Sequence, residues 1–65
     1  MYDRKIAFYI IDKLNEVHSK PFDITIPHDM FDAEDVKETA NILIDNEMFS
    51  GSVEIYHNGV NIQFN

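Results

Sequence analysis

His28 and Asp29 are the only adjacent imidazole–carboxylate pair in the chain. Such a pair could polarise a base, or supply two metal ligands if His18 or Asp32 came alongside. Next to Pro27 it also reads as a solvent-facing loop, with Asp29 as a turn former. Ser19, Ser50 and Ser52 carry no nucleophile signature around them. The two glycines, Gly51 and Gly59, are accounted for by turns, so no glycine-rich phosphate loop remains. There is no cysteine, hence no disulfide and no thiolate metal site. A chain of 65 residues also has little room for a pocket, since ligand sites start at roughly 300 Å³. The chemistry on offer points to a non-enzymatic protein with no cofactor and no metal.

The other patterned polar residues are acids on a helix. Asp32 is a good N-cap, and Glu34 and Asp35 fill the first turn that follows. Phe31 and Val36 stand at the spacing of a hydrophobic staple. Val36, Ala40, Leu43 and Ile44 form the buried stripe of a helix predicted to end near Asn46–Met48, with Phe49 packing behind it and Gly51 breaking the pattern. Opposite that stripe lie Glu34, Glu38, Asn41 and Asp45. Lys37 is the only base on the helix. The outward stripe reads either as a solvated helix face or as a binding surface for a basic partner.

Three further elements must carry this helix. A first helix is predicted from Asp3 to His18, with Ile6, Ala7, Ile10, Ile11, Leu14 and Val17 on its apolar face. Asp3 at its start suits the helix dipole, as do His18 and Lys20 at its end, before Pro21. Phe8 and Tyr9 point away from that face; whichever of them is exposed would be a contact site, and together they could bury a homodimer interface. Phe22–Ile26 alternates as a short edge strand closed by Pro27. Asn58-Gly59 favours a two-residue type I′ turn. Folding about it pairs His57 with Val60, Ile55 with Ile62 and Val53 with Phe64 on one apolar face, with His57 leaning on the first helix. Glu54, Tyr56, Asn61 and Gln63 lie on the polar face.

The expected fold is α+β: two main helices, a short strand and a C-terminal β-hairpin in a single domain over residues 1–65. This order, with Leu43-Ile44-Asp45-Asn46-Glu47-Met48-Phe49-Ser50-Gly51 leading from the longer helix into the hairpin, resembles a minimal winged-helix domain. Pro27–Phe31 leaves room for a single turn where that family has its second helix. The resemblance implies DNA binding through helix 33–47, with the hairpin as the wing. The residues point elsewhere: three of the four outward positions are acidic and would set carboxylates against phosphate, and the wing tip His57-Asn58-Gly59 carries no Lys or Arg.

Twelve acids against five bases give a net charge of −7. Five cations can neutralise few phosphates, and the long-range field repels a polyanion. The apolar run Ile6–Ile11 is too short to span a membrane and lacks a cleavage site after it, so a cytoplasmic protein without membrane contact is expected. The leading expectation is a protein-binding regulator or inhibitor acting on a basic protein surface. Glu34, Glu38, Asn41 and Asp45 would form the site, with Tyr56 as an aromatic anchor. In size and charge the chain resembles phage and mobile-element accessory proteins, some of which occupy a host protein's DNA-binding surface. A winged-helix transcription regulator and a self-associating structural module are the alternatives.

Overall fold

The computed structural model describes residues 1–17, 19 and 21–65. Its elements run in the order α1 (Arg4–Glu16), β1 (Phe22–Pro27), α2 (Ala33–Asp45), β2 (Gly51–Tyr56) and β3 (Gly59–Phe64). The expected α+β architecture is present. His18 and Lys20, expected to favour the end of the first helix, lie outside the described residues.

Each helix starts on an aspartate because the first backbone N–H groups of a helix need an outside acceptor. Asp3 accepts from the Lys5 N–H at 2.8 Å and Asp32 from the Asp35 N–H at 3.2 Å. The exit of α2 is less ordinary. The Glu47 N–H donates to Ile44 O and the Met48 N–H to Leu43 O, both at 2.9 Å. This is the Schellman pattern, which places its C′ residue in the left-handed conformation and usually uses glycine there. Here Glu47 takes that position at φ 61°.

The three strands form one antiparallel sheet in the order β1-β3-β2. β3 is therefore central. Its inward residues Val60, Ile62 and Phe64 are buried, and they meet Ile6, Ile10, Ile26, Val36, Ala40 and Leu43 in one core. Phe64 anchors the end of the sheet, stacked on Phe22 at 4.5 Å between ring centroids and tilted on Phe49 at 4.8 Å. α2 lies over β2 and β3, and α1 packs on α2. Between β1 and α2 the chain makes a turn, with the Met30 N–H bonded to Pro27 O at 3.1 Å, and no helix.

The hairpin register differs from expectation by two residues. Ile55 pairs with Val60, Val53 with Ile62 and Gly51 with Phe64, so His57 and Asn58 make the turn. Asn58 does not adopt the positive φ that a type I′ turn demands: among the described non-glycine residues only Glu47 does. The reason lies in the third strand. Gly59 pairs with Pro27 of β1 as well as with Tyr56. A Cβ on Gly59 would lie 2.6 Å from Ile26 O, so the glycine serves a close backbone approach instead of a turn. Gly51 likewise sits in a strand, where a Cβ would strike Gln63 O, and takes no part in ending α2. A two-residue shift preserves alternation, so each strand side chain keeps its expected face. His57 is the exception: it lies exposed in the turn and does not lean on α1.

Candidate functional site

α2 presents Val36, Thr39, Ala40 and Leu43 to the core. Helical geometry then sends the positions about half a turn away outward. Glu34, Glu38, Asn41 and Asp45 are all exposed, in one row along the helix. The element that carries them is firmly seated. Thr39, among the described residues the one buried polar residue of the core, accepts a hydrogen bond from the Asp3 N–H at 3.0 Å, locking the start of α1 to the middle of α2.

The row is not uniformly free. The Met1 ammonium donates to Asp35 Oδ1 at 2.7 Å and to Glu38 Oε2 at 2.8 Å. Those hydrogen bonds, Asp35 first and Glu38 second, raise the ammonium pKa from 8.0 to about 10. Glu38 is thus partly neutralised. Among the described residues Glu34 and Asp45 form no ion pair.

Tyr56 is not part of this row. β2 alternates, so Tyr56 and Glu54 project from the face of the sheet opposite the helices. Its hydroxyl donates to Glu54 Oε2 at 3.2 Å, and that bond raises the phenol pKa. Its carbonyl accepts from His28 Nε2 at 2.6 Å, which ties the loop after β1 to the end of the hairpin. The imidazole of the His28-Asp29 pair therefore has a structural partner. Asn61, on the same open sheet face, donates to Asp23 Oδ2 at 2.8 Å. The sheet separates Tyr56 from the α2 row, so the two do not form one contact surface as the sequence suggested.

The aromatic pair on α1 also divides. Tyr9 is half-buried, edge-on to Phe31 with ring centroids 6.0 Å apart, and Lys13 Nζ lies 5.4 Å from its ring centroid. It is engaged inside the fold and is not a free contact. Phe8 is 68% exposed.

Charge is distributed by element. α1 holds three bases against two acids, whereas α2 holds four acids against one base. The side chains of α2 thus sum to −3 (one base, four acids) against +1 on α1 (three bases, two acids). Sequence reasoning missed the apolar residues beside that face. Ile42 is half-buried out of phase with the core stripe, and Tyr2 and Met48 remain 42% and 51% exposed. The signal was present, since Ile42 falls beside the acidic row on a helical wheel.

Comparison of the chain with protein-family models, with curated proteins and with solved structures found no significant match. No helix among the described residues is long and apolar enough to cross a membrane.

Proposed function

We propose that this protein is a non-enzymatic binding protein that regulates or inhibits a partner protein with a basic surface. One observation carries the reading. The outward face of α2 exposes Glu34, Glu38, Asn41 and Asp45 in a row, with Lys37 as the helix's only base. If the chain is a minimal winged helix, this is the face that would lie against DNA, and carboxylates there oppose phosphate. The same face complements a surface rich in Lys and Arg. Long-range attraction would steer association, and short-range contacts would fix the register. A nucleic-acid-binding protein of the cytoplasm, its basic surface covered by α2, is the partner that fits best. Some of the phage and mobile-element accessory proteins that the chain resembles in size and charge act in this manner.

The test is retention of a basic protein partner by the immobilised domain at low and high salt, with a double charge swap as control. Since Glu38 is tied to Met1, Glu34→Lys with Asp45→Lys alters the row without breaking that link. Partner retention should fall with salt and vanish in the swap, while circular dichroism stays that of the native fold. Binding of labelled duplex DNA with a steep salt slope, and no effect of the swap on protein capture, would overturn the proposal.

A further inference from the structure

Tyr2, Ile11, Ile42, Leu43 and Met48 line a groove where the outer edge of α1 meets the end of α2. Leu43, only 5% exposed, forms its floor; Tyr2 and Met48 stand half-exposed on its rim. Phe8, three residues before Ile11 on α1, is also exposed. Exposed apolar side chains gathered in one place on a domain this small are unusual, and they mark contact sites more often than scattered ones do.

Two features connect the groove to the acidic row. Ile42 lines this groove and also the adjoining hollow formed by Glu34, Lys37, Glu38 and Asn41. The apolar trench and the carboxylates are therefore one continuous surface with Ile42 at the junction. The second feature is the backbone at Glu47. Its left-handed conformation is unfavourable for a residue with a Cβ, and it turns the chain so that Met48 lands on the rim. As is common in a Schellman ending, Met48 at C″ lies beside Leu43 and Ile42 at C3 and C4. It stays half in solvent.

We infer that this groove docks an amphipathic helix of the partner protein, with apolar side chains in the trench and Lys or Arg against Glu34 and Asp45. The inference rests on the proposed binding of a basic protein and names the element of that protein which is held. Charge selects this occupant. A second copy of this chain would bring another net −7 and another acidic α2 to the same surface, and such like-charge contact disfavours pairing. An acidic or neutral helix would leave the carboxylates of the row without partners. A basic amphipathic helix satisfies both halves of the surface, in the helix-in-groove mode that reads residues at i, i+3 or i+4, and i+7.

The experiment is selection from a displayed library of helical peptides, about 14 residues long so as to match the length of α2, against the intact 65-residue protein. Affinities of the recovered peptides are then measured on variants. The expected sequences combine an apolar face at helical spacing with flanking Lys or Arg. Met48→Ser and Tyr2→Ser, both at exposed positions, should weaken binding at least tenfold at any salt. Glu34→Gln with Asp45→Gln should weaken it several-fold at low salt and little at high salt. Basic peptides without an apolar pattern, indifferent to Met48→Ser, would overturn groove docking and leave the basic-partner reading standing. Acidic peptides would overturn both; recovery of no helical peptide would overturn groove docking alone, since a basic protein surface need not be helical. Concentration-dependent dimers in sedimentation that Met48→Ser abolishes would show the groove to be filled by a second copy, and would also overturn the inference.

Discussion

Replacing Glu47 by glycine is expected to stabilise the protein. Glu47 is the C′ residue of the Schellman ending of α2 at φ 61°. The left-handed region costs a residue with a Cβ about 1–2 kcal/mol, and glycine almost nothing. Glycine gives back part of this, about 0.5–1 kcal/mol, through the greater freedom of its unfolded chain. A second gain is electrostatic. The carboxylate sits at the negative end of the α2 dipole, beyond a last turn with no base. Its removal relieves a few tenths of a kcal/mol at an exposed site, where about 0.3 kcal/mol is the low end of the range. The net is about 1 kcal/mol, which in a domain of this size shifts Tm by about 4–8 °C. Glu47→Gln separates the two effects, because it removes the charge and keeps the strained conformation; it should recover only the few tenths. Paired thermal and urea unfolding by circular dichroism at matched ionic strength provides the readout. If Gln matches Gly, the gain is electrostatic alone and the strain argument is wrong. If Gly destabilises, the left-handed turn itself is refuted.

Thr39→Val keeps the shape of the buried side chain but leaves the Asp3 N–H without its acceptor; a loss of about 1–3 kcal/mol in urea unfolding is expected, and an unchanged midpoint would contradict the α1–α2 lock. Gly59→Ala should cost about 1–3 kcal/mol by overpacking, because its Cβ would press on Ile26 O; an unchanged urea midpoint would contradict the close approach of β1 and β3 at that position. The Met1 ammonium pKa is raised in the fold, so its stabilising contribution is complete below pH 8.0 and is lost as pH rises towards about 10. Thermal midpoints should fall across that window, and less steeply in a variant with Asp35→Asn and Glu38→Gln; equal slopes would remove the ammonium from the account.

Much of the fold was legible because several local signals agreed. Asp32 as cap, the Val36–Ala40–Leu43 stripe and the alternation of β3 each admitted one reading, and those elements stand where expected. The hairpin register was misread because Asn58-Gly59 satisfies a turn rule locally, while Gly59 is demanded by β1, some thirty residues earlier in the chain. A constraint between β1 and β3 leaves no mark on the hairpin's own sequence. Thr39 was passed over because its acceptor role depends on where Asp3 lands. Glu47 hid in the same way: a glutamate does not advertise a left-handed turn, and Gly51 nearby offered a more familiar helix stop. On the site, the acidic row followed from helical periodicity alone. The separation of Tyr56 from it did not, since that depends on which face of the sheet the helices cover.

The central claim is that the outward face of α2 recognises a basic protein surface. Its most direct measurement is the affinity of the captured partner for the native chain and for the Glu34→Lys, Asp45→Lys double swap, each across a salt series. The account predicts an affinity that falls steadily with salt in the native chain and is lost in the swap, with both proteins equally folded. Equal affinities for the two chains at every salt concentration would contradict it.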